Sequence, residues 1–172
     1  MTRMRIEMEI LAPFVANLAL PLEALTSMNA RYLRERGASV PWLYNAGVRY
    51  IPEGRNGCTG RPDERWEPIP RVIELGGGDC EDLACWRAAE LRVRGLAPRD
   101  PRRFPRARAF AVRSGQTVIA GIGRVNLIHI LVSRDGTCSL APNNIEDPSV
   151  RLGMKPWSAA QLRSAVLMHC RV

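Results

Sequence analysis

The chemistry open to this chain centres on a cysteine behind a glycine run and a histidine inside an apolar segment. Cys80 follows Gly76-Gly77-Gly78-Asp79 and opens the stretch CEDLACWRAAELRVRG. That stretch predicts a helix ended by Gly95. Leu83, Ala84, Ala88 and Leu91 form its apolar stripe, and Glu90 can pair with Arg94 one turn on. A thiol at a helix N-terminus sits at the positive end of the macrodipole, which favours thiolate and lowers the pKa. Asp79 is placed to cap the helix, and the Cys80 N–H is then left to face an oxyanion. The glycines let the chain approach closely and leave room for a substrate backbone. These are the requirements of an activated nucleophile. The bland alternative is a small buried residue at a helix start, but a core position does not need three flexible residues before it.

A thiolate needs a base, and the chain has two histidines. His169 falls at the end of the last predicted helix, where a cation complements the C-terminal dipole. His129 lies in NLIHILV, an apolar strand that would serve either a core histidine or a rigid mount for an imidazole. The imidazole in turn needs an acceptor on its second nitrogen. Asn143, Asn144, Glu146 and Asp147 follow the strand, and Asp147 is the best acidic choice because Pro148 rigidifies the backbone beyond it. Asp135 reads instead as a turn former.

The elements that must position these residues follow from pattern. Met4, Ile6, Met8 and Ile10 alternate with charged residues, a strand with one buried face. Pro21 suits a helix start, and Leu22, Leu25, Tyr32 and Leu33 continue it to a stop at Gly37. Residues 40–50 are aromatic and apolar without clear period, and 52–70 read as a long loop. Strands are expected over 107–112, 125–133 and 137–140, the last two joined by a hairpin turn at Arg134-Asp135-Gly136. Ser158 caps a closing helix to Met168. Helices first and an antiparallel sheet after them make an α+β fold, with one domain over 1–172 and its core at about 41–154.

At GDCEDLA, residues 78–84, the chain resembles the nucleophile motif of the transglutaminase-like cysteine hydrolases, including the bacterial transglutaminase-like cysteine proteinases. The order Cys80, His129, Asp147 is that family's order. PWLYNAGVRY, the 66–70 stretch, the His129 strand and IEDPSVRLGM extend the likeness to small transglutaminase-like proteins of tailed phages and prophages. The resemblance implies a papain/transglutaminase-like core, with the nucleophile at the N-terminus of a central helix packed on an antiparallel sheet. It implies a catalytic triad and a protein or peptide substrate. It also implies a second oxyanion donor from an upstream aromatic, for which Trp42 and Tyr44 stand at a fitting distance. Some bacterial relatives bind calcium beside the cysteine, where Asp79 and Glu81 stand here; capping already accounts for Asp79, so no metal or other cofactor is assigned. One departure is Leu140-Ala141-Pro142, where many relatives carry the aspartate in Leu-Asp-Pro. The acid then comes from Asp147 in a longer loop, or an amide of Asn143 or Asn144 substitutes for it.

Composition bounds the rest. The chain has 172 residues and a net charge of +8, but 24 of its 25 basic residues are arginine and they are scattered. Only residues 99–108 are densely basic, without interleaved aromatics, so nucleic acid is not the expected partner. Five cysteines at irregular spacing, with no CxxC, argue against disulfides or structural zinc. No apolar run is long enough for a membrane span. A cytoplasmic or virion-associated cysteine hydrolase (peptidase, amidase or transamidase) is the expectation. Its rival is a catalytically inactive assembly protein of the same fold, binding phage structural proteins.

Overall fold

The computed structural model describes residues 18–52, 65–119 and 123–169. The strand expected over residues 4–10 lies outside the described residues. Helix α1, Ala19–Arg36, ends where Gly37 takes a positive φ of 55°, a backbone region that glycine enters at no steric cost. A 3₁₀ turn at Leu43–Asn45 leads to strand β1, Arg49–Tyr50. Helix α2, Ile69–Leu75, occupies the end of what reads in sequence as loop. Strand β2, Gly77–Gly78, pairs parallel with β1. Helix α3, Cys80–Val93, follows at once.

The glycine run thus has structural work on each residue. Gly76 closes α2 with φ 71°. A Cβ on Gly77 would collide with the Arg49 carbonyl and Ile51, and one on Gly78 with the Asp82 side chain. Close approach, rather than room for a ligand, explains these residues.

The second half is a sheet of order β3-β4-β5: β3 Arg108–Ile119, β4 Gly123–Ser133 and β5 Ile145–Glu146, all antiparallel. The architecture is α+β, as expected. The third strand is not where the alternation suggested. Residues 137–140 form no strand. Asp135 accepts the Thr137 N–H at 2.7 Å, and the Asn144 amide donates to the Thr137 and Ser139 carbonyls. Side chains thereby satisfy backbone groups that a strand would have paired. The short helix α4, Pro148–Arg151, follows β5, and α5, Ala159–His169, closes the described chain. Ser158 and Gln161 exchange side chain-to-backbone bonds at 3.2 and 2.8 Å, a reciprocal capping box.

Helix α3 is buried all round, not along one stripe. Ala84 and Ala88 meet the small Ala107, just before β3, and Ala109 and Ala111 of β3, together with Ile130 and Val132 of β4. Small residues on both surfaces bring helix and sheet close together. Leu83, Trp86 and Ala89 pack against α1, α2 and the 40–48 segment. The opposite face of the sheet, with Phe110, Val112 and Leu131, is covered by Ala165 and Val166 of α5. Among the described residues, no helix is long and apolar enough to cross a membrane.

Candidate active site

Cys80 is the first residue of α3, and Asp79 occupies the capping position. The Asp79 side chain makes no capping bond. The cap runs the other way. Asp82, in the third helical position, accepts the backbone N–H of Asp79 and that of Glu67, the latter at 2.6 Å, half of a capping box. Glu81, also in the first turn, suits the helix dipole.

The Cys80 thiol is half-buried. It packs against β4 beside Ile128 and Ile130, where the Ile130 backbone N–H acts to lower its pKa; among the described residues no hydrogen bond joins it to His129. The thiol donates to Glu81 Oε2 at 3.3 Å. Burial, then the charges of Glu81 and Asp79, push its pKa well above the ordinary thiol range. This reverses the expectation of a lowered pKa. The helix dipole is present, but desolvation and two carboxylates at the same helix end disfavour the anion more strongly.

His129 is buried in β4 opposite Val112. Its Nε2 meets Asp147 Oδ2 at 3.0 Å, and its ring lies 5.1 Å from that of Trp157. The other carboxylate oxygen of Asp147 accepts the N–H groups of Ser149 and Val150 at 3.1 and 3.3 Å, capping α4. A carboxylate with two backbone donors on one oxygen is an acceptor, so Nε2 carries the proton and Nδ1 is left basic. Pro148 is the first residue of α4, where its missing N–H costs nothing.

The remaining expected residues lie elsewhere. Asn143 is exposed at φ 65°. Asn144 is spent on the Asp135 N–H and on the two loop carbonyls. Trp42 stacks under Arg94, 4.6 Å from ring centre to guanidinium. The Tyr44 hydroxyl donates to Glu146, and its ring faces Arg151 and Arg87. Tyr50 lies close enough to the thiol for their charges to interact. Its pKa is pushed up to about 12 by burial and then by the charges of Cys80, Asp79, Glu81 and Asp147. β1 pairs Tyr50 with Gly78, two residues before Cys80. That pairing is long-range, so spacing alone could not choose Tyr50 from the three tyrosines of the chain. For His169, burial and the nearby Arg108 push the pKa down, against the cationic role expected of it.

Behind the acid lies a buried ionic network. Glu146 takes Arg87 at 2.9 Å, Arg134 at 3.0 Å and Arg151 at 3.5 Å. Arg87 also holds Glu90 at 3.1 Å, and Glu90 accepts the Leu43 N–H at 2.7 Å. Burial acts to raise the Glu146 pKa, but the arginines and Tyr44 together bring it below the ordinary value. The network ties α3 to β5 and so fixes the strand end that carries Asp147. Among the described residues, no group of three or more His, Cys, Asp or Glu side chains is placed to hold a metal ion.

No protein-family model, curated protein sequence or solved structure matches this chain.

Proposed function

We propose that this chain is a cysteine hydrolase of the transglutaminase-like kind, acting on a peptide or carboxamide through Cys80, His129 and Asp147. The observation that carries the reading is the His129–Asp147 pair, 3.0 Å apart, on the strand against which the Cys80 helix packs. A nucleophile at the start of a helix packed on an antiparallel sheet that bears the histidine is the papain/transglutaminase-like plan.

In this mechanism Sγ turns from Glu81 toward His129 Nδ1 and gives up its proton as it attacks the carbonyl carbon. The resulting oxyanion is met by the Cys80 N–H and by the Tyr50 hydroxyl, which stays protonated across the neutral range. Tyr50 takes the role that Trp42 and Tyr44 would have filled. His129 then passes the proton to the departing amine, leaving a thioester. Water or a second amine attacks the thioester, its proton going to His129 and back to Sγ. The raised thiol pKa means that deprotonation accompanies attack and that no thiolate is stored beforehand. A protein or peptide partner and a reducing or virion-internal setting go with this reading.

The same raised pKa, with the thiol turned toward Glu81, favours a second reading: an assembly protein that keeps the fold without the reaction. Iodoacetamide labelling near neutral pH separates the two. On the catalytic reading His129 assists removal of the thiol proton, so His129→Ala should slow labelling of Cys80 by roughly tenfold or more. An unchanged rate in His129→Ala removes the catalytic reading and supports the assembly reading.

A further inference from the structure

The geometry points to a second binding site: the cavity at Trp42, Tyr44, Arg134 and Arg151 takes a small ligand bearing a carboxylate or phosphate. The cavity measures about 300 Å³, and residues 96–98 form its apolar wall. Cys80 and His129 are not among its lining residues. Four guanidinium groups, of Arg87, Arg94, Arg134 and Arg151, surround two carboxylates, Glu90 and Glu146. The cluster thus holds two positive charges in excess, partly desolvated, where an anion is attracted more strongly than at an open surface.

The hydrogen bonding shows which groups would meet that anion. Each guanidinium nitrogen of Arg87 is engaged, with Nε on Glu146, Nη1 on Glu90 and Nη2 on the Leu96 carbonyl. Arg134 spends Nε and Nη2 on Glu146. Arg151 spends only Nη1, at 3.5 Å, and its guanidinium rests 3.7 Å above the centre of the Tyr44 ring. Nη1 of Arg134 and Nε and Nη2 of Arg151 therefore have no hydrogen-bond partner among the described residues. Two guanidinium forks held by a shared carboxylate, with N–H groups to spare, suit a planar or tetrahedral oxyanion. Tyr44 and Trp42, held by cation–π contacts, wall the site beside them. The apolar wall implies that the ligand carries a hydrophobic portion beyond its anionic group.

Calorimetric titration of the whole chain with inorganic phosphate and with citrate, at ionic strength held constant with sodium chloride, tests the site. At least one anion should bind saturably. Phosphate binding alone assigns a phosphorylated ligand, and citrate binding alone a carboxylate. Arg151→Gln is the decisive variant, because its side chain is 56% exposed and its loss leaves the Arg87–Glu146 pair intact. It should weaken binding roughly tenfold. Arg134→Gln should weaken it similarly, and its folded state is checked by circular dichroism. No saturable binding of either anion, or binding unchanged in Arg151→Gln, overturns the proposal.

Discussion

The carboxylate of Asp147 divides its two oxygens between two tasks. Oδ2 meets His129 and Oδ1 caps α4. Substitution can separate them. Asp147→Asn keeps one acceptor oxygen. If that oxygen stays on the cap, the amide nitrogen faces His129 and imposes the wrong tautomer. Thioester formation should then fall by about 10³- to 10⁴-fold with little loss of stability. Asp147→Ala loses the cap as well and should cost about 1 kcal/mol more in urea denaturation. Equal stability of the two variants would refute the capping role. Glu81 invites a sharper test. Its charge ranks after burial among the causes that raise the Cys80 pKa. Glu81→Gln should therefore accelerate alkylation of Cys80 near pH 7.5 by roughly 3- to 10-fold, since one pKa unit is about tenfold in thiolate. A slower rate would mean that Glu81 itself draws the proton from sulfur.

At the scale of the element, α3 is a wholly buried helix whose N-terminus gathers three carboxyl groups. Burial and the charge of Asp79 push the Asp82 pKa up to about 8, although Asp82 accepts the Glu67 and Asp79 N–H groups. Asp82 is then protonated in the folded protein at neutral pH. Its folded value lies above its unfolded value, so the folded state takes up a proton between them. This contribution to stability is fully present below about pH 4 and is lost as pH rises toward about 8, by at most about 1.4 kcal/mol per pH unit. Asp82→Asn holds a similar shape without titrating. Its urea midpoint should fall less over that pH range than that of the unaltered chain. Parallel pH profiles for the two would show that Asp82 is already ionised in the fold.

Across the whole molecule, the buried network at Glu146 joins what the chain order keeps apart. It connects α3 through Arg87, the loop after β4 through Arg134, α4 through Arg151 and the turn before β1 through Tyr44. Glu146→Ala leaves the buried Arg87 guanidinium without its closest carboxylate and should cost about 3–5 kcal/mol. An exposed pair such as Arg31–Glu35 should contribute under about 1 kcal/mol by the same urea measurement. A loss near that of the exposed pair would show that Arg87 relaxes onto Glu90 alone.

Local chemistry is written plainly in the sequence. The stop of α1 at Gly37, the helix opened by Cys80, the His129 strand, the Ser158 cap and the α+β order are readable because each depends on neighbours a few residues away. Long-range pairing is not written there. The two-residue strands β1, β2 and β5 carry too little pattern to stand out, and residues 137–140 alternate like a strand but fold as a turn. Asp147 could be ranked first among the acceptors, yet only the register of β5 on β4 brought it to His129. Tertiary structure also decided the state of the thiol. The dipole of α3 follows from local sequence, but the burial and paired carboxylates that outweigh it exist only once helix and sheet have packed.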